Sequence, residues 1–183
     1  YIGAGGAGEV FLVRQTLDDR VYAVKTVHEQ KTGSTQARQD LLREINISQR
    51  LGSHPNIVPV QFYRIIDGNL AVFSEFVSGG SLSNWIRSDR IKLKETVIDI
   101  AIRTAWGLHA THQAGILHKD IKPSNILMER SGRPRIADFG LIRGMTPGYC
   151  SPEQMSGDEL TTATDIWSFA LVVMTLWIGK RTW

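Results

Sequence analysis

The feature that most constrains the fold of this chain is a change in hydrophobic periodicity at residues 78–80, "SGG". Before it, the segments 9–27 and 56–77 are rich in β-branched and aromatic residues on either side of "LDDR" and "DGN", which is typical of antiparallel hairpins. Residues 36–51 between them have helical spacing, and Glu44 lies on the flank of their apolar stripe. After residue 80 the spacing is helical. The order predicts an α+β fold: a β-sheet with one helix, a hinge, and a helical part.

Three helices are predicted in the second part. They cover residues 81–87, residues 95–114 with Gly115 as a stop, and the apolar run "IWSFALVVMTLWIG" at 166–179. In the second helix, Ile98, Ile102, Ala105 and Leu108 are spaced to form one apolar face. The third run is too short to span a bilayer and predicts a buried core helix.

Composition excludes few functions. The chain has 183 residues and a net charge of +3, with basic residues scattered rather than clustered, so nothing indicates a nucleic-acid-binding arm or a membrane segment. The single cysteine, Cys150, excludes an intramolecular disulfide and favours a cytoplasmic location.

A glycine-rich segment, "GAGGAG", opens the chain, with Gly3, Gly5 and Gly8 in a G-x-G-x-x-G spacing. A dinucleotide fold needs a helix after these glycines and an acid about 20 residues on. Here a strand follows, and Lys25 stands where the acid is needed. The segment therefore predicts either a hairpin that covers phosphates or a flexible loop.

Lys25 ends the strand "YAV", and Glu44 follows on the predicted helix. If the fold brings them together, the carboxylate orients the ammonium toward a polyphosphate. If it does not, both are exposed charges, and the sequence leaves this open.

The segment "HKDIKPSN" at 118–125 brings together groups for phosphoryl transfer. Asp120 can accept a hydroxyl proton, Lys122 can offset phosphoryl charge, and Asn125 can supply an amide oxygen to a hard cation. Asp138 in "DFG" supplies a second oxygen ligand of the type that magnesium takes.

The motifs "GAGGAGEV", "YAVK", Glu44, "HKDIKPSN", "DFG" and "SPE", in this order, resemble the eukaryotic-type serine/threonine protein kinase domain, including its bacterial members. The resemblance covers residues 1–183. It implies a bilobal fold with an N-lobe at 1–77 and a C-lobe at 78–183 that is incomplete after the helix at about 163–178.

The resemblance also implies roles for individual residues. Asp120 is the catalytic base or positioning acid, Lys122 contacts the γ-phosphate, Lys25 paired with Glu44 holds the α- and β-phosphates, Thr146 bonds Asp120 and Lys122, and Asp165 anchors the catalytic loop. Asn125 and Asp138 bind Mg²⁺. The ATP site comprises Gly3, Gly5 and Gly8 over the phosphates, Val10, Ala23 and Leu127 around the adenine, Ser74 as gatekeeper, and the backbone of Glu75 and Val77.

The implied function is transfer of the ATP γ-phosphoryl group to serine or threonine hydroxyls of proteins, with regulatory or sensor domains possible outside this chain. Lys122 and Thr146 match the serine/threonine branch rather than the tyrosine branch. Two alternatives stay open. One is a kinase-like scaffold that binds a nucleotide without catalysis, or a fragment that is inactive on its own. The other is a small-molecule kinase of related fold.

Three departures from the family pattern carry expectations. Lys119 replaces the usual arginine before Asp120, and only ten residues separate "DFG" from "SPE". These two features predict activity that does not depend on phosphorylation of the activation segment, unless a loop is missing from the sequence. The third departure is the end at Trp183, before the helices that usually follow. It predicts an uncovered apolar side on the last helix and poor solubility or weak activity of this chain alone.

Overall fold

A computed structural model describes Tyr1 and residues 3–5, 8–27, 39, 42–43, 45–46, 49, 51, 54–139 and 146–180. Its first part is a five-stranded antiparallel sheet in the order β1-β2-β3-β5-β4. The strands are β1 Gly3–Gly5, β2 Gly8–Arg14, β3 Val21–Val27, β4 Val60–Ile66 and β5 Asn69–Glu75.

Both predicted hairpins are present. Arg14 pairs with Val21 across the first turn, and Ile66 pairs with Asn69 across the second. In the second turn Asp67 and Gly68 have φ of 49° and 79°. Two consecutive left-handed residues match the right-handed twist of the flanking strands, which is why an Asp-Gly pair favours this turn.

The sheet packs on both faces. Ile45 lies in helical backbone and packs with Leu70 and Val72 on one face. On the other face Tyr22 packs with Phe62 and Phe73, whose rings stack 4.5 Å apart. Of the described residues in the helix predicted at 36–51, residues 39, 42–43, 45–46 and 49 are helical, and Leu51 lies in a turn.

The second part is helical apart from one small hairpin. Its helices are α1 Leu82–Arg87, α2 Lys94–Gln113, α3 Pro152–Ser156 and α4 Thr162–Ile178. A 3₁₀ turn, Pro123–Asn125, leads into the paired strands β6 Ile126–Met128 and β7 Pro134–Ile136. Side chains of Ser81, Ser151 and Thr161 cap α1, α3 and α4, satisfying amide groups that have no partner within the helix.

The predicted apolar face of α2 is wrong in part. Ile98 and Ile102 are 50% and 52% exposed, whereas Leu108 is buried as expected. The buried face instead contains Thr104 and Thr111, whose hydroxyls donate to the carbonyls of Ile100 and Leu108, each at 2.7 Å. Val97 and Ile100 also belong to this face. Because the helix itself satisfies the two hydroxyls, threonines can lie among apolar residues on the packed face, where a count of apolar residues alone does not find them.

Helix α4 is also buried on one face only. Val172 and Leu176 lie in the main core, whereas Trp167 and Trp177 are 47% and 57% exposed. The prediction of a buried core helix is therefore half right, and the predicted uncovered apolar side is present. Among the described residues no helix is both long and apolar enough to cross a membrane.

The sheet and the helical part are joined through backbone far apart in sequence. Ile57 forms a parallel bridge with Ile136, and the amide of Val58 donates to the carbonyl of Ile136 at 2.8 Å. The side chain of Asn56 donates to the carbonyl of Pro134 at 2.9 Å. These bonds hold the segment that precedes β4 against β7. A lobe boundary at residue 77 stays a prediction.

Candidate active site

A buried carboxylate holds the backbone of the loop that carries Asp120. Asp165, in the first turn of α4, has no exposed surface and accepts the amides of His118 at 2.8 Å and Lys119 at 2.7 Å. Its Oδ2 also lies 2.8 Å from Nε2 of His112 on α2. One side chain therefore fixes the loop to two helices.

Residue 119 is held from both sides. Lys119 has a φ of 68°, a left-handed conformation that L-residues other than glycine rarely adopt. Its amide bonds Asp165, and its carbonyl accepts Nε2 of Gln154 at 2.7 Å. Oε1 of Gln154 accepts the amide of Ser151 at 3.1 Å, closing the cap of α3. The same amide group thus caps α3 and supports the peptide directly before Asp120.

His118 supports the loop from below as a neutral imidazole. Its Nδ1 accepts the amide of Asp120 at 3.3 Å, so the ring proton sits on Nε2, which lies 2.8 Å from the carbonyl of Ala137. Burial lowers the pKa of His118, against the opposing effect of nearby carboxylates that include Asp165. The ring also packs against the ring of Phe139, with the two ring centroids 5.0 Å apart.

Asp120, Lys122 and Thr146 form a closed triangle. Nζ of Lys122 lies 2.6 Å from Oδ2 of Asp120 and 2.6 Å from Oγ1 of Thr146. The Thr146 hydroxyl donates to Oδ1 of Asp120 at 2.7 Å. The carboxylate and the ammonium are both 22% exposed, so they can meet a ligand. Three predicted catalytic residues therefore lie together.

The two predicted magnesium ligands flank the small hairpin. Asn125 directly precedes β6, Asp138 comes two residues after β7, and the amide of Ala137 donates to the carbonyl of Asn125 at 2.9 Å. Nδ2 of Asn125 donates to the carbonyl and to Oδ2 of Asp120, at 2.8 and 3.0 Å. Because the amide nitrogen is occupied, Oδ1 is the atom left for a cation.

This donor set fits magnesium. A carboxylate and an amide oxygen are hard ligands, and Mg²⁺ is usually held by one or two such groups together with substrate phosphates and waters. No cluster of three or more His, Cys, Asp or Glu side chains suited to a metal is found in the described part of the chain.

Lys25 pairs with Asp138 in this structure. Its Nζ lies 3.0 Å from Oδ2 of Asp138, and its side chain is 12% exposed. The pair joins β3 to the end of the β6–β7 hairpin, so the lysine reaches the proposed metal site. Its predicted partner, Glu44, lies outside the described residues.

The predicted adenine-binding residues lie on three neighbouring strands of the sheet, in the segment after β5, and on β6. Val10 is paired with Lys25, and Ala23 with Ser74, in neighbouring strands. Leu127 packs beside Val77 from below. A shared adenine site for these residues stays a prediction.

The carboxylate of Glu75 is paired with Arg135, so it is not available to an adenine. The guanidinium contacts the carboxylate at 2.5 and 3.0 Å and also donates to the carbonyl of Ile57. Such a two-bond pair is among the stronger surface ion pairs. Only the backbone of Glu75 can serve the predicted hydrogen bonds.

The glycine-rich segment forms a hairpin, with Gly3 paired to Val10 and Gly5 to Gly8. This favours a hairpin over the alternative of a flexible loop for the described residues. Its tip, residues 6–7, lies outside the described residues, as does the segment 140–145 between Asp138 and Thr146.

Sequence reasoning missed three supporting residues, Gln154, Arg135 and His112. The first had a signal: Ser151 and Gln154 form the S-x-x-Q spacing of a capping box. Arg135 and His112 had none, because their partners Glu75 and Asp165 are 60 and 53 residues away in the chain.

Comparison with known proteins gives one family. The family model described as "Protein kinase domain" matches residues 1–183. The chain is 32% identical over 185 residues to the serine/threonine-protein kinase PknD of Mycobacterium tuberculosis, a match that covers 94% of this chain and 28% of PknD. It is 30% identical to CBL-interacting serine/threonine-protein kinase 7 of Arabidopsis thaliana, covering 97% of this chain and 45% of that protein.

A third relative is the probable serine/threonine-protein kinase mkcC of Dictyostelium discoideum, 31% identical over 98% of this chain and 21% of its own length. The chain thus spans less than half of the length of these relatives. The family match over the whole chain, together with the α+β fold of a sheet and helices, shows that the chain belongs to the protein kinase domain family.

Proposed function

We propose that this chain is the catalytic part of a protein serine/threonine kinase that transfers the γ-phosphoryl group of Mg-ATP to serine or threonine hydroxyls. The observation that carries the proposal is the triangle of Asp120, Lys122 and Thr146, partly exposed and held in place by Asn125 and the buried Asp165. We place the reaction in the cytoplasm, where ATP and magnesium are available.

Asp120 acts on the acceptor hydroxyl. Its carboxylate aligns the hydroxyl oxygen with the γ-phosphorus and takes the proton, as the oxygen–phosphorus bond forms and the bond between the γ-phosphorus and the β–γ bridging oxygen breaks, releasing ADP. The bond from Thr146 keeps one carboxylate oxygen in place, and Lys122 lies beside the other. Because the groups are positioned before the reaction, less ordering is needed in the transition state.

Charge is offset by Lys122, Lys25 and the metal. Lys122 faces the transferring phosphoryl group, and Lys25 faces the α- and β-phosphates once it leaves Asp138. Asn125 and Asp138 would hold Mg²⁺, and the metal would supply positive charge that offsets the charge developing on the leaving group. Val10, Ala23 and Leu127 exclude water from the adenine, and the backbone of Glu75 and Val77 binds its edge.

The proposed function is tested by transfer of labelled γ-phosphate from Mg-ATP to one acidic and one basic generic protein and to the chain itself. Asp120→Asn and Lys25→Met are the matched inactive variants. Incorporation that both variants reduce by about a hundredfold or more supports the proposal. Binding of Mg-ATP by a folded sample without any transfer would favour the scaffold alternative, and transfer to a small metabolite but to no protein would favour a small-molecule kinase.

A further inference from the structure

A cavity of about 380 Å³ opens directly beside the catalytic triangle. Lys122 and Thr146, which both bond Asp120, form one part of its wall. The remaining described wall comes from α1, from the 3₁₀ turn, from Tyr149, and from the end of α4 with the two residues that follow it. A group bound there lies next to the acceptor hydroxyl rather than in the ATP site, because the adenine-binding positions are absent from its described lining.

The charged groups of this cavity have one sign. Arg87, in the last turn of α1, and Lys180, directly after α4, both line it together with Lys122. Lys122 is already paired with Asp120, whereas Arg87 and Lys180 are exposed and have no ion-pair partner among the described residues. No Asp or Glu occurs in the lining that the structure describes.

The uncharged part of the wall suits a side chain that has a short aliphatic part and a polar end. Ile86, Pro123 and Tyr149 supply apolar surface, and Ser83 and Ser124 supply hydroxyl groups. The hydroxyl of Tyr149 is bonded to Thr175 at 3.2 Å, which fixes the floor of the cavity. A cationic substrate side chain would meet Arg87 and Lys180, with no carboxylate in the described lining to pair with, and would be repelled.

We propose that this cavity binds an anionic side chain of the protein substrate, so that the enzyme prefers serine or threonine acceptors with an anionic residue nearby. This rests on the proposed function and adds a substrate class to it. Because the cavity adjoins Lys122 and Thr146, which bond Asp120, we place the anionic residue close to the acceptor, within about three positions at about 3.3–3.6 Å per residue of extended peptide. The shared chemistry is a carboxylate or a phosphate, both of which pair with arginine and lysine.

The test compares four peptides that differ only at the positions within three residues of one serine: Glu, Gln, Lys or phosphoserine. The kcat/KM of each is measured with the purified protein, and the substitutions Arg87→Glu and Lys180→Glu are compared with Arg130→Glu, which makes the same charge change at an exposed site outside the lining. The same peptides with alanine as acceptor are used to measure binding by fluorescence anisotropy, without ATP.

We expect the Glu or phosphoserine peptide to exceed the Gln peptide, and the Lys peptide to be the poorest. Arg87→Glu and Lys180→Glu each lower the ratio of Glu-peptide to Gln-peptide kcat/KM by about fivefold, as for a partly exposed ion pair, and Arg130→Glu leaves it unchanged. The Glu and phosphoserine arms distinguish a carboxylate-binding from a phosphate-binding cavity.

Equal rates for the Glu, Gln and Lys peptides, or a preference for Lys, would overturn the inference while leaving the kinase proposal intact. A cation in the last turn of a helix also interacts with the helix carbonyls. If Arg87 served only that purpose, Arg87→Glu would lower the melting temperature without changing the peptide ratio, which would also overturn the inference. Binding of the anionic peptides without Asp120-dependent transfer to any substrate would contradict the proposed function and not the cavity assignment.

Discussion

Gln154 joins two parts of the site through a single amide group. Its oxygen accepts the Ser151 amide in the cap of α3, and its nitrogen donates to the carbonyl of Lys119. Since Lys119 is in a left-handed conformation, the peptide before Asp120 depends on these outside bonds. We infer that Gln154 is a positioning residue for Asp120.

The substitution Gln154→Glu tests this role. A glutamate can still accept the Ser151 amide, but it cannot donate to the Lys119 carbonyl, which is then left unpaired and faces a second oxygen. We expect kcat to fall about tenfold with the KM for ATP unchanged, since a lost buried hydrogen bond costs about 1–3 kcal/mol. Steady-state kinetics check it, with the exposed Gln61→Glu as the matched control.

An unchanged kcat in folded Gln154→Glu would remove Gln154 from this role. If kcat fell only in proportion to the folded fraction measured by circular dichroism, the residue would be structural and nothing more.

The sole cysteine gives a probe of the same region. Burial raises the pKa of the Cys150 thiol, and the negative charges of Glu153 and Asp120 raise it further. Since only the thiolate reacts, a raised pKa means less thiolate at neutral pH. We expect Cys150 to react with iodoacetamide more slowly than free cysteine at pH 7.5, with a rate that rises with pH.

Mass spectrometry of the intact chain measures this rate without interference from other thiols. A rate equal to that of free cysteine would contradict the raised pKa. In the Glu153→Gln variant one of the two negative charges is gone, and the rate at pH 7.5 should rise.

At the scale of elements, local sequence rules predicted turns and helix ends better than they predicted which helix faces are buried. The Asp67-Gly68 turn and the stop at Gly115 follow from local backbone preference. Each needs a positive φ, which glycine adopts readily, so the local sequence is enough to predict it. The buried face of α2 does not, since it is set by which neighbour comes close. Thr104 lies on it and Ile102 does not, although apolar side chains alone would rank Ile102 above Thr104 as a buried residue.

The site divides in the same way. Asp120, Lys122 and Asn125 lie within six residues, so their proximity was predictable from one loop. The contacts of Asp165 and Arg135 were not, because they join residues whose distance in the chain says nothing about distance in space. Only the family resemblance indicated the role of Asp165.

Gly107 marks the closest approach of α2 to the segment before β4. A Cβ atom at this position would lie 2.7 Å from the carbonyl oxygen of Asn56 and 3.1 Å from Cδ1 of Ile136. Replacing a helical glycine by alanine ordinarily stabilises by about 1 kcal/mol, but overpacking costs about 1–3 kcal/mol. Because the Cβ would lie under 3.0 Å from a backbone atom, we take the overpacking cost at the upper end of its range and expect Gly107→Ala to lower the free energy of unfolding by about 2 kcal/mol in urea titrations.

The reason is that the atom met first is backbone, which cannot rotate away, and that Asn56 already accepts the amide of Ile136. A Gly107→Ala variant as stable as the parent, or more stable, would show that the segment shifts at no cost.

At the scale of the whole molecule, large apolar side chains on two helices face solvent. On α2 they are Ile102 and Trp106, and on α4 they are Trp167, Met174 and Trp177, each exposed by 47% or more. Exposed apolar surface of this kind favours association. We expect this chain, expressed by itself, to self-associate, and Ile102→Glu with Met174→Glu to increase the monomer fraction.

Sedimentation velocity measures the monomer fraction. Ile65→Glu is the matched control, since Ile65 is 54% exposed but lies on the edge strand β4. A monodisperse parent chain, or an equal response to Ile65→Glu, would argue against the helical faces as the cause.

The bonds between residues 56–58 and 134–136 also bear on how the molecule is made. Asn56 and Pro134 are 78 positions apart in the chain. When the ribosome has synthesised the whole sheet, it has therefore not yet synthesised β7. During synthesis the sheet can form its hairpins early, yet residues 56–58 gain their bonds to residues 134–136 only after about sixty further residues have followed Glu75. During that interval the sheet lacks its contacts with the rest of the molecule, so the nascent chain is open to binding by chaperones and to cleavage by proteases.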